Sequence, residues 1–167
     1  MISHFLIKGV FCIYYKICSS KKQGGKMITT YENLNILEAA NQANFSIFLK
    51  AAKKAKLDGM LESADNITVF IPDDNAFNKL EKIFLEGLLK IGKENQLANI
   101  LKYHIVSSNM PADAVQSVDS IEMMNGQKAD IFRKNGTLMI NDAEITEPDI
   151  KVKNGVIHKI NKVLLPK

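Results

Sequence analysis

Apolar residues recur at helical spacing from Leu34 onward. Leu34, Leu37 and Ala40 follow at three-residue intervals, and Phe45, Phe48, Leu49 and Ala52 repeat the pattern. Asn44 or Ser46 can start the second helix by capping its free backbone N–H groups. Asp58-Gly59 is the expected stop, because glycine adopts the left-handed conformation that helix ends favour. The period then shortens. Ile67-Thr68-Val69-Phe70-Ile71 is a β-branched and aromatic run closed by Pro72 and Asp73-Asp74-Asn75, which predicts a strand entering a capped turn. Helical spacing resumes at Ala76, Phe77 and Leu80 and continues through Phe84, Leu85, Leu88 and Leu89. It returns at Leu97, Ile100 and Leu101.

Beyond Tyr103 the pattern is mostly β. His104-Ile105-Val106 predicts a strand, Pro111 opens a helical turn over residues 112–115, and residues 121–124, 129–132, 138–140 and 156–165 predict further strands. Asn125-Gly126, Asn135-Gly136 and Asn154-Gly155 punctuate them; Asn-Gly signals a hairpin because both residues tolerate positive φ. Pro148-Asp149 reads as a turn between two strands. Helices followed by hairpins predict an α+β domain, in which N-terminal helices pack against antiparallel sheet.

Composition changes this picture at one end only. The chain has 167 residues, enough for one domain, with an ordinary apolar share of 46%. Its net charge is +4, yet Lys8, Lys16, Lys21, Lys22 and Lys26 stand in a first segment without Asp or Glu, which leaves residues 27–167 at −1. That balance, with Arg133 as the only arginine, argues against nucleic-acid recognition. Cys12 and Cys18 also lie in residues 1–26, where His4 is the one nearby ligand that could join them on a metal. The uncharged run at residues 9–15 is far shorter than the ~20 residues of a membrane span.

Residues 1–26 therefore read as a leader outside the fold, joined at Gly24-Gly25, and residues 27–167 as the domain. Two accounts of the leader stand: an inefficient export signal, or an extension upstream of an effective start at Met27. The interrupting lysines and the missing small-residue cleavage site favour the second.

Three segments carry a resemblance. Thr68-Val69-Phe70-Ile71-Pro72-Asp73-Asp74-Asn75-Ala76-Phe77 resembles the first hallmark segment of fasciclin domains. Gly155-Val156-Ile157-His158-Lys159-Ile160-Asn161-Lys162-Val163-Leu164-Leu165-Pro166 resembles the second, with Asn161 where Asp is common and an unusually basic Lys159 and Lys162. Leu101-Lys102-Tyr103-His104-Ile105-Val106 is similar to the family's Tyr-His element, and the match extends over residues 32–166. The resemblance implies a fasciclin-type wedge or sandwich of antiparallel sheets. It marks Thr68, Phe70, Pro72, Phe77, Gly155, His158 and Pro166 as structural. It also implies an extracellular or envelope-associated adhesion domain that contacts a protein or glycan.

Glu147-Pro148-Asp149-Ile150 is similar to an element linked with integrin recognition in animal fasciclin domains, where the Tyr-His region is also implicated. The resemblance thus makes Tyr103, His104, Glu147, Pro148, Asp149 and Ile150 the candidate partner-binding residues. Catalysis is not expected, since no H-E-x-x-H, G-x-S-x-G or phosphate-cradling glycine loop occurs. His104 and His158 read as buried groups that tie sheet to turn. As neighbours in a strand, Tyr103 and His104 should face opposite sides, one toward the core and one toward the rim. No cofactor or metal is expected, and a monomer is. Met123, Met124 and Met139 read as core fillers. The competing class is a small-ligand carrier or intracellular interaction domain on the same fold.

Overall fold

The computed structural model describes the backbone of residues 19–23, 26–79, 86–87 and 92–166, with side chains from Tyr31 onward in those ranges. The expected helical positions Leu80, Phe84, Leu85, Leu88 and Leu89 lie outside the described residues, as do Gly24-Gly25, His4, Cys12 and Cys18. Helix α1 (Ile36–Gln42) opens on a reciprocal cap: Asn35 accepts from the Glu38 N–H, and the Glu38 carboxylate accepts from the Asn35 N–H. Asn44, at φ 60°, turns the chain into α2 (Ser46–Lys54). Neither Asn44 nor Ser46 caps that helix, contrary to expectation. Asp74 does so from a distance, accepting from the Ser46 hydroxyl at 2.8 Å and the Ile47 N–H at 3.3 Å. Phe48, Ala51 and Ala52 are buried while Lys50 and Lys53 are exposed, as an amphipathic helix requires.

Asp58-Gly59 does not end α2. The left-handed residue there is Lys56, at φ 56°, and Asp58 begins a further helix, α3 (Asp58–Ser63). An acidic residue serves at a helix start because the backbone N–H groups point at it, so Asp-Gly was compatible with either end.

Strand β3 (Ile67–Pro72) is buried along its whole length. Its β-branched residues suit a pleated surface covered on both faces. Asp73 then caps α4 (Asp74–Lys79), its carboxylate accepting from the Ala76 N–H at 2.6 Å. Helix α5 (Glu94–Lys102) leads into β4 (Ile105–Val106), and Pro111 precedes α6 (Ala112–Gln116). The hairpin region comprises β5 (Ser120–Glu122), β6 (Lys128–Lys134), β7 (Thr137–Ile140), β8 (Ala143–Val152) and β9 (Gly155–Ile160).

These strands form one sheet in the order β4-β3-β9-β8-β7-β6-β5, antiparallel except for β3 beside β9. The fold is α+β, as the pattern predicted. The parallel pair is beyond the reach of local hairpin signals, since it joins residues far apart in the chain. Gly155 permits it: a Cβ at this position would sit 1.9 Å from the Ile67 carbonyl oxygen. Asn154-Gly155 is thus no positive-φ pair, unlike Asn135-Gly136, whose φ values are 52° and 81°.

Two hydrophobic cores divide across the sheet. Val69 and Ile71 join the helices in the first, with Phe48, Phe77, Ile105 and Ile157. Phe70 points the other way into the second, with Tyr103, Val115, Ile121, Met123, Ile140 and Ile160. Separately, β1 (Ser19–Gln23) and β2 (Lys26–Thr30) form an antiparallel ribbon, with β2 lying beside β8. The expected boundary at Met27 falls inside β2.

Candidate functional site

The Tyr-His element sits where α5 ends, and the strand expected from His104 starts only at Ile105. Tyr103 is the C-terminal cap of α5 and His104 occupies the turn after it. Both are about 1% exposed, so neither forms a rim. Their side chains do diverge, but into the two different cores. The Tyr103 hydroxyl donates to the Lys128 carbonyl and accepts from the Asn141 amide, each at 3.0 Å. On the helix side, Nε2 of His104 accepts from the Leu164 N–H at 3.0 Å, which places the ring proton on Nδ1, bonded to the Ile100 carbonyl at 2.8 Å. Burial pulls its pKa down to about 4, so the ring is neutral at physiological pH.

His158 is fully buried opposite Phe70, with the two rings stacked at 5.3 Å. Nδ1 accepts from the Asp149 N–H at 3.2 Å, and Nε2 donates to the Met110 carbonyl at 2.8 Å. Burial lowers its pKa, against the Met110 bond and the Asp149 charge, which raise it. Two neighbours complete a strap over residues 108–112. Thr68 donates to the Ser108 carbonyl at 2.7 Å and accepts from the Met110 N–H at 2.8 Å. The Asp149 carboxylate accepts from the Ala112 N–H at 2.7 Å, at the start of α6.

Glu147-Pro148-Asp149-Ile150 is not a turn between strands. It is an irregular stretch inside the single strand β8, where the register to β9 shifts twice between Ile145 and Ile150. Asp149 takes φ 60° there, a conformation that Asp tolerates better than most residues. Ile150 is buried in the first core, which leaves Glu147, Pro148 and Asp149 partly exposed and Glu147 within 3.9 Å of Lys159. The six candidate residues therefore do not share one surface: three are buried. Beside Pro148 and Asp149 lies an open cleft of about 660 Å³ between α6 and strands β6 to β8.

Chemically, both histidines already have each ring nitrogen bonded to backbone. Neither ring bonds a carboxylate or hydroxyl among the described residues that could form a proton relay. Among the described residues no group of three or more His, Cys, Asp and Glu could hold a metal ion, and no helix is long and apolar enough to cross a membrane. The apolar cavity beside His104 and Phe77 has about 20 Å³, room for roughly one water.

Asn154 is a structural residue that sequence reasoning missed. It accepts from the Ile36 N–H at 3.0 Å and donates to the Leu61 and Ala64 carbonyls at 2.8 and 3.0 Å, joining α1 and α3 to the β8–β9 turn. Its turn-like neighbour Gly155 concealed that role. The Asn161 side chain bonds Glu144 twice, accepting from its N–H and donating to its carboxylate, each at 3.0 Å. An Asp there could not make the second bond.

A model of the fasciclin domain matches residues 43–166. The chain is 34% identical over 128 residues to protein sll1483 of Synechocystis sp., covering 77% of this chain and 71% of that one. It is 32% identical over 133 residues to transforming growth factor-beta-induced protein ig-h3 of Sus scrofa, covering 80% of this chain but 19% of the relative. A solved domain pair from the insect cell adhesion molecule Fasciclin I shares the fold at a TM-score of 0.55 and 19% identity, over 76% of this chain and 46% of that one.

Proposed function

This chain belongs to the fasciclin domain family, and from that premise we propose that it is a non-catalytic binding module for cell adhesion or surface attachment. Its partner is a protein or glycan met outside the cell or at the envelope, and residues 27–167 form the working unit. One observation carries the reading: both histidines of the family segments are occupied in bracing, and Asp149, which shares the brace, directly follows the partly exposed Glu147 and Pro148. His158 and Asp149 fasten that part of β8 to the strap over residues 108–112. An exposed pair anchored through its neighbour has less to order on binding. Tyr103, His104 and Ile150 then act indirectly, as supports of the same scaffold.

The test is attachment of cells or matrix to immobilised protein, wild type against a Glu147→Ala, Pro148→Ala double variant. The exposed Lys159 contact contributes little, so stability should stay within about 1 kcal/mol while attachment falls. Full attachment by a folded double variant would overturn the assignment.

A further inference from the structure

The wet side of α2 carries a concentration of positive charge that the fold itself does not require. Lys50, Lys53 and Lys54 follow at three- and four-residue spacing, which stacks them on one stripe opposite the buried Phe48, Ala51 and Ala52. The stripe covers about 6 Å of helix axis, and Lys56 extends it into the turn that follows. Backbone N–H groups at Glu94 and Gly92 hold the Glu94 carboxyl below the ordinary carboxylate range, and Lys54 and Lys56 lower it further. The start of α5 therefore lies beside these lysines, and the exposed Lys93 stands immediately before it.

Helix stability accounts for only part of this. Lys53 and Lys54 occupy the last turn of α2, where a cation complements the negative end of the helix dipole. Lys56 and Lys93 stand where stability would choose other residues. Lys56 holds φ 56°, the left-handed conformation in which glycine or asparagine ordinarily follows a helix. Lys93 stands at the positive end of α5, and its side chain caps nothing there. Along the chain, these five lysines have Asp58 and Glu94 as their acidic neighbours, in a domain whose net charge is −1. Among the described residues no carboxylate pairs with Lys50, Lys53, Lys56 or Lys93.

A row of unpaired like charges is complementary to a polyanion, and the surroundings narrow its kind. The large apolar residues exposed among the described ones are Val118, Phe132 and Leu165, on other elements, so nothing here would enter a lipid surface. No arginine stands among the lysines, and the nearby Phe45 and Phe48 are buried, so no base could be gripped or stacked. We propose that the lysine face formed by the end of α2 and the start of α5 binds an acidic polysaccharide, with its anionic groups set against Lys50, Lys53, Lys56 and Lys93. This surface is separate from Glu147 and Pro148 and gives the module a second contact.

The probe is heparin titrated into the full chain at increasing salt, with neutral dextran and phosphatidylglycerol vesicles as the alternatives. Heparin should bind with an affinity that falls as salt rises, and dextran should not bind. Lys50→Gln, Lys53→Gln and Lys56→Gln together should weaken heparin about tenfold or more and flatten the salt dependence. A control that neutralises the exposed Lys128, Lys134 and Lys151 should change the affinity less than about threefold. Lys56→Gly should weaken heparin while raising the thermal midpoint, because glycine accepts the left-handed conformation without strain; this variant decides the matter if the triple variant does not fold. Failure of the wild type to bind heparin, equal loss in the control, unchanged affinity of Lys56→Gly, or tighter binding to the vesicles than to heparin would each overturn the proposal. Heparin binding is read without cells, so attachment through Glu147 and Pro148 stands or falls apart from it.

Discussion

The ring of His104 connects the last turn of α5 to the backbone at Leu164, far along the chain. That position makes it a support whose protonation the fold resists. In the unfolded chain the ring titrates near 6.5, whereas burial holds the folded value at about 4. Above the upper value both states are neutral and the ring adds no pH dependence. Between the two, the unfolded state binds the proton first, so stability falls as pH drops, then levels off below about 4. The full loss is on the order of 3 kcal/mol, and His158, also lowered by burial, acts in the same direction. Urea midpoints at pH 7 and pH 4.5 should show this decline. His104→Gln should start from a lower midpoint and decline less; an unchanged slope would place the acid sensitivity elsewhere.

At the scale of elements, β8 concentrates the unusual backbone. Asp149 combines a left-handed conformation with a cap on α6, and the two roles separate by substitution. Asp149→Ala loses both and should destabilise by about 2 kcal/mol. Asp149→Asn keeps an acceptor oxygen and tolerates positive φ, so it should stay within about half a kcal/mol. Equal loss in thermal unfolding would mean the carboxylate charge, rather than geometry, holds the stretch. The same strand shows where the sequence was legible. Residues 67–72 read correctly because β-branching and the terminal proline act locally, and Asn135-Gly136 because its turn needs only two adjacent residues. Strand β8 was hidden, since Glu147, Pro148 and Asp149 carry turn chemistry and the pairing that overrides it comes from β9. The family segments pointed to the strap around His158. The cleft beside α6 could not be read, because its walls come from α6 and from three separate strands, and no residue pattern marks their meeting.

For the whole molecule, the two cores share β3, whose neighbouring side chains enter opposite sides. In the β1–β2 ribbon, β2 runs beside β8, and just after it Tyr31 bridges Val152. A chain beginning at Met27 loses β1 but keeps that bridge, and should unfold within a few degrees of the full chain. A larger drop in the calorimetric midpoint would place β1 within the cooperative unit. The parallel junction of β3 with β9 has a consequence during synthesis. Strand β3 leaves the ribosome early, but the neighbour that covers one of its edges is translated many residues later. At roughly 5–20 residues per second, the nascent first core waits several seconds with a sheet edge open, and in that interval it is a natural client for a chaperone.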